Sequence, residues 1–133
     1  MITREEFLSI PERATELRER EDRIKCMKSK LLSPKGLDTS DKVQSSGSQT
    51  ALIDIFIDME QTLDAEKQEL EHLQAEALKV IYRADLPSEQ RMVMLLRYTE
   101  NATWRSITET VHYGIATVFR IHRAALDKLF KVN

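Results

Sequence analysis

The clearest pattern in the chain is a series of apolar positions, Leu52, Phe56, Met59, Leu63, Glu66, Leu70, Leu73, Ala77, Val80 and Ala84, spaced alternately by four and three. Only Glu66 is polar in that series, and such a repeat is the seam of a coiled coil. It predicts one helix of about 33 residues, roughly 50 Å long at 1.5 Å per residue. A lone helix of that length cannot bury its stripe, so it needs a partner. Upstream, Ile10, Ala14, Leu17, Ile24 and Leu31 form a similar stripe, broken at Glu21 and Lys28. Thr3 with Glu6 and Ser9 with Glu12 are two capping boxes, and Pro11 fits the first turn of a helix started at the second. This first helix is expected to run to about Leu32 and fold back antiparallel on the long one. It is too short to cover the whole seam, and Ile53, Ile55 and Ile57 add apolar surface beyond one stripe.

Ser33-Pro34-Lys35-Gly36 ends the first pattern, and the polar stretch after it predicts a mobile loop over 33–50. Asp85-Leu86-Pro87 ends the long helix. Ser88 is then a good N-cap for a short helix carrying Met92, Leu95, Leu96 and Tyr98 to near Glu100. Asn101-Ala102-Thr103 is a turn with Thr103 as cap. Trp104, Ile107 and Val111 share one face of the next helix. His112-Tyr113-Gly114 interrupts, and Val118, Ile121, Ala125, Leu126 and Leu129 mark a longer last helix. Two helices around a short glycine-containing break make a helix-turn-helix. The expected fold is all-α: a helical hairpin or coiled coil over 1–86, and a trihelical domain over 87–133.

Composition narrows the function. Of 133 residues 32% are charged, with three glycines and three prolines. No apolar run approaches the roughly 20 residues a bilayer requires. Met-Ile-Thr-Arg-Glu-Glu at the start lacks the build of a signal peptide, so a cytoplasmic protein off the membrane is expected. Cys26 is the single cysteine, and His72, His112 and His122 have no metal-site spacing, so no disulfide and no metal are expected. No phosphate-binding glycine loop and no nucleophile with a base at a telling spacing are present, which argues against an enzyme and against a cofactor. The net charge of −2 is unevenly spread: 51–87 holds 3 Lys/Arg against 9 Asp/Glu, and 88–133 holds 7 against 4. A polyanion would meet the C-terminal part. The mixed charges from Glu16 to Arg23 read as a solvated helix face with supporting i,i+4 pairs.

Together these residues resemble region 4 of the sigma-70 family of transcription initiation factors. Leu86-Pro87-Ser88-Glu89-Gln90 and Leu95-Leu96-Arg97-Tyr98 are similar to that region's helix, which follows a proline and a short acidic stretch and ends in an Arg-Tyr or similar pair. Ile107-Thr108 stands at its Ile-Ala pair, and His112-Tyr113-Gly114 at its Gly-hydrophobic-Ser turn. Val118, Ile121, Ala125, Leu126 and Leu129 match its apolar tail. A narrower resemblance is to small phage and prophage proteins of Gram-positive bacteria, the ArpU-type late transcription regulators. They join an N-terminal helix and a polar loop to a long acidic helix, and share Arg97-Tyr98, Trp104 to Ile107 and Ile121-His122 to Leu126. Asp41-Lys42-Val43-Gln44-Ser45-Ser46 is similar to their loop. The resemblance implies a DNA-binding regulator of transcription without the promoter-melting parts of a full sigma factor.

The resemblance puts the reading positions at Gly114, Ile115, Ala116, Thr117, Phe119, Arg120 and Arg123. Ile115, Ala116 and Phe119 cannot donate to base edges, though they can contact thymine methyls. Gly114 is a weaker cap than the usual serine. The expected DNA contacts are Thr117, Arg120 and Arg123 from the recognition helix, with Arg105 and Lys128 on phosphates. Trp104 is expected in the core, and His122 in a structural role. Tyr113 either touches phosphate or staples the turn. Two functions remain open. One is a transcription regulator on double-stranded DNA, paired through the long helix. The other is an adaptor whose Ile115, Ala116 and Phe119 dock on RNA polymerase or a phage component, including a small DNA-packaging subunit.

Overall fold

The structure, a computed structural model, describes residues 1–32 and 45–131. They form five helices: α1 (Arg4–Leu31), α2 (Ser45–Arg83), α3 (Ser88–Tyr98), α4 (Trp104–Val111) and α5 (Ile115–Leu129), with no strand among the described residues. The fold is all-α, two long helices followed by the helix-turn-helix.

α1 takes the first of its two possible starts. Thr3 N–H donates to Glu6 Oε1 at 3.0 Å, and Glu6 N–H donates to Thr3 Oγ1 at 3.1 Å. Both end donors are thereby satisfied in one reciprocal cap. The capping-box start at Ser9 is not used: the Ser9 hydroxyl donates to the Glu6 carbonyl at 2.7 Å, and Pro11 lies inside the helix. Pro11 deletes one bond of the ladder. Burial of Ile2, Phe7 and Ile10 around the early turns offsets that loss. α2 begins at Ser45, so the stretch read as loop is shortened at its end, because extending a helix past its nucleus costs little per residue. The rest of the expected loop, 33–44, lies outside the described residues.

The chain packs as two units, one of Met1–Thr15 with Leu70–Asn133 and one of Glu16–Glu69. In the second unit Leu17 and Ile24 of α1 and Phe56 and Leu63 of α2 are buried, as their stripes predict. The polar residues that break those stripes each pair with a charged residue flanking the stripe of the other helix. Arg20 bonds Glu66, Lys67 bonds Glu21, and Lys28 Nζ meets Glu60 at 3.2 Å. From Arg20 and Glu21 to Lys28 along α1 the partners move back from Glu66 and Lys67 to Glu60 along α2, so the two segments are antiparallel. Hydrogen bonding to Lys67 holds the Glu21 carboxyl below the usual carboxylate range. Pairs this exposed to solvent contribute little to stability. Their larger effect is on register, since a slip would oppose like charges. Leu31 departs from its predicted stripe: it ends α1, beyond the last of these pairs, and is half exposed. Ile53, Ile55 and Ile57 are also about half exposed, the excess apolar surface the pattern implied.

The other unit draws the start of α1 into the packing of the C-terminal helices. Phe7 is fully buried, with ring centroids 4.2 Å from Tyr98 and 5.2 Å from Phe130. Pro87 still marks the turn from α2 into α3, but the packed unit includes Met1–Thr15 and the turns of α2 from Leu70 onward. Two details of α3 differ from the expectation. Pro87, with φ −57 and ψ 154, is the N-cap and Ser88 the first helical residue, with no side-chain cap. Met92 is half exposed, whereas Val93, Met94 and Tyr98 are buried. α3 packs on two fronts, with Val93 and Leu96 in the core of the three-helix domain and Tyr98 against Phe7, so a single-stripe reading selects the wrong methionine.

Phe7→Ala should lower stability by about 3–5 kcal/mol, the cost of emptying a fully buried aromatic site. Exposed Leu8→Ala should change it by less than about 0.5 kcal/mol. Urea denaturation followed by Trp104 fluorescence measures both, and an unchanged midpoint for Phe7→Ala would separate the N-terminal turns from the C-terminal domain.

Candidate nucleic-acid interface

Three short helices are held by one apolar centre. Val93 of α3, Ile107 of α4 and Val118 of α5 are fully buried together, with Leu96, Ala102, Trp104, Val111 and Ile121 packed around them. Thr103 caps α4 as expected, its hydroxyl accepting from Ser106 N–H at 3.1 Å. The turn into α5 uses a left-handed residue, and that residue is His112 (φ 62, ψ 35) rather than the glycine. His112 N–H closes α4 on the Thr108 carbonyl at 2.9 Å. Gly114 is extended, with φ −69 and ψ 163, and is the N-cap of α5 without any side-chain bond. Its missing Cβ leaves open space, so the glycine is required by neither conformation nor crowding.

The residues that carried the sequence resemblance turn out to be scaffold. The Arg97 guanidinium lies 4.3 Å from the centroid of the Trp104 ring, and its Nη1 donates to the Ala102 carbonyl at 3.1 Å. A cation on an indole face beside a turn carbonyl fastens α3 to the start of α4. Tyr98 Oη and His122 Nε2 are 2.6 Å apart, with the two rings nearly parallel at 13°. Burial, reinforced by the Arg97 charge, pushes His122 down to about 4, and burial pushes Tyr98 up to about 12. At neutral pH the phenol and the imidazole are therefore both uncharged and share one hydrogen bond, and His122 holds α5 to α3 instead of meeting phosphate as a cation. Trp104 sits edge-on to His122 at 4.9 Å and to Phe119 at 5.0 Å, the core role expected of it. Burial also lowers Arg97. One member of this scaffold had no sequence signal: Gln74 of α2 donates to Asn101 Oδ1 at 2.8 Å and lies outside the seam.

The expected contact residues do not all gather on one face. Arg120 and Arg123 are exposed on α5 together with Ile115, Ala116 and Phe119. At about 100° per residue the two arginines lie roughly 60° apart. Asp127, which the sequence reading did not weigh, is exposed in the same sector and offsets part of their charge. Thr117 is half buried at the flank of that face. Arg105 is exposed on α4 and pairs with Glu109 at 3.6 Å. It lines a shallow depression of about 380 Å³ at the turn, beside Tyr113, Gly114 and Ile115. Lys128 is about 140° around α5 from Arg123, in a different cleft with Lys79 and Arg83. Tyr113 lies near Glu89 of α3, whose carboxylate charge raises the phenol above its ordinary value.

Gly114→Ser should stabilise the domain by about 0.5–1 kcal/mol, by adding a cap and removing unfolded-chain freedom. A rise in the thermal midpoint checks it; a fall would mean that the turn needs a bare backbone. His122 sets a pH dependence. Between about pH 6.5 and 4 the unfolded chain takes up a proton that the folded protein refuses. Its contribution is complete above pH 6.5 and falls as the pH drops toward 4, by about 2 kcal/mol once partial exposure of the ring is allowed for. His122→Gln should flatten that part of the stability–pH profile, measured by urea midpoints at a series of pH values.

Comparison with known proteins places a family on this geometry. Residues 84–131 match the model of the family described as Sigma-70, region 4. No curated protein and no solved structure matches the chain. The matched segment runs from the end of α2 through α3, α4 and α5, and contains both the apolar centre and the exposed face of α5. The C-terminal part of this chain is therefore a sigma-70 region 4-like helix-turn-helix, of the kind that binds DNA.

Proposed function

We propose that the protein is a regulator of transcription of the phage or prophage type, acting in the cytoplasm on double-stranded DNA by binding rather than catalysis. The observation that carries this reading is the region 4 match over a helix-turn-helix whose last helix exposes Arg120 and Arg123. The outward face of α5 enters the major groove, with Arg120 and Arg123 reaching base edges or phosphates and Thr117 at the flank. Arg105 of α4 contacts the backbone. Ile115, Ala116 and Phe119 meet thymine methyls. Two arginines opposed by Asp127 give one unit little affinity, so two copies act together. The half-exposed Ile53, Ile55 and Ile57 of α2 support pairing through the long helix.

A second reading is favoured by the same apolar residues. Ile115 and Phe119 are each 45% exposed at the start of a recognition helix, where base-reading polar side chains are usual. An adaptor would press them on RNA polymerase or a phage component, and a small DNA-packaging subunit would do so in a ring.

Low-salt mobility shifts with promoter-region duplex from the protein's own locus test the first reading. Affinity should fall steeply with salt, and Arg120→Ala/Arg123→Ala should weaken binding at least tenfold and reduce the log–log salt slope by about 2. Binding that is absent or insensitive to salt rejects it. Loss of polymerase binding by Ile115→Ser with DNA affinity intact favours the adaptor, whereas weakened DNA binding by that variant favours the thymine-methyl contact of the first reading. Sedimentation separates a dimer from a ring of many copies.

A further inference from the structure

The geometry points to a second binding site, distinct from the outward face of α5: the cleft between the last turns of α2 and the end of α5, which we infer receives an acidic protein segment. Lys79, Arg83 and Lys128 line a cleft of about 450 Å³ together with the apolar Met1, Val80, Ala84 and Leu129. Glu76, the one acidic residue among the described residues that line it, is 3.8 Å from Lys79. Among the described residues no carboxylate pairs with Arg83 or Lys128. Arg91 reaches the Ala84 carbonyl at 3.5 Å, so the end of α2 has another donor than the cleft cations.

Two features select the occupant. The first is direction. Lys128 lies about 140° around α5 from Arg123 and about 80° from Arg120, to one side of the outward face. The second is composition. A nucleic-acid backbone offers phosphates to the cations but no apolar group to the apolar lining, and its rod shape does not enter a concave cleft. A short amphipathic segment with carboxylates around a leucine-like side chain fits both, its charges meeting Lys79, Arg83 and Lys128 while its apolar side chain covers Val80, Ala84 and Leu129. Charge of this kind steers encounter and fixes orientation, and the buried apolar contact slows release. Lys128 thereby moves from a presumed phosphate contact to a contact with protein.

Fluorescence anisotropy with the full chain and a fluorescein-labelled peptide, Glu-Glu-Leu-Glu-Glu-Leu-Leu-Glu-Glu, tests the site. Binding should be lost when serine replaces each leucine of the peptide, and when lysine replaces each glutamate. Lys79→Glu/Lys128→Glu should weaken the peptide at least tenfold, with circular dichroism showing an intact fold, since both side chains are exposed. Arg120→Ala/Arg123→Ala should leave peptide affinity unchanged. The inference is overturned if the peptide does not bind, if the charge reversal leaves its affinity unchanged, or if the reversal abolishes duplex binding in mobility shifts. The last outcome would make the cleft a nucleic-acid site. Failure of DNA binding by the unaltered protein bears on the proposed function alone, because the peptide arm contains no DNA.

Discussion

The short bond between Tyr98 and His122 is the constraint on which the recognition unit depends. α4 has eight residues and α3 eleven, lengths at which an isolated helix is not stable in water. Their order comes from contacts between helices. Around the Tyr98–His122 pair, Phe130, Phe7, Trp104 and Phe119 form an unbroken series of ring contacts, with the Arg97 guanidinium laid on Trp104. Burial forces His122 to be neutral and Tyr98 to keep its proton, so at physiological pH the pair is a hydrogen bond between two uncharged groups. The exposed face of α5 is only as well oriented as this bond makes it.

A division follows between what the family motifs encode and what the interface needs. Arg97-Tyr98, Trp104 to Ile107 and Ile121-His122 carry the resemblance because they carry the packing. Base-reading side chains are a separate matter, free to vary without disturbing the scaffold. In this chain the exposed positions at the start of α5 include the apolar Ile115, Ala116 and Phe119, and Phe119 is partly absorbed into the scaffold through its edge contact with Trp104.

Much of the architecture was legible because periodicity is a direct consequence of helix geometry. The four–three seam located α2, and each residue that broke a stripe proved to pair with a charged residue beside the stripe of the other helix: Glu21 with Lys67, Lys28 with Glu60, Glu66 with Arg20. Thr3 and Thr103 capped as read. Misses arose where tertiary packing overrides a local rule. Met92 and Leu31 sat on plausible stripes but face outward, because α3 is buried on two fronts and Leu31 ends its helix past the last cross-helix pair. The second capping box was locally as good as the first, and lost because continuous helix buries Phe7 and Ile10. At the site, Arg120 and Arg123 could be placed on one face by counting. Lys128 could not be placed relative to α2, nor could Gln74 be matched with Asn101, since both relations join segments far apart in sequence.

The position of Phe7 also bears on the order in which the protein assembles. Its ring partners, Tyr98 and Phe130, lie near the other end of the chain. During synthesis the first turns of α1 emerge early, while the helices that cover Phe7 are still to be made. The Glu16–Glu69 unit is contiguous and can close on its own contacts. The recognition unit has to wait for nearly the whole chain, because its contacts span a long sequence separation, and such topologies close late and slowly. Until Phe130 is delivered, an apolar N-terminal segment remains uncovered, and a ribosome that stalls within α5 would release a chain with a formed hairpin and no recognition unit.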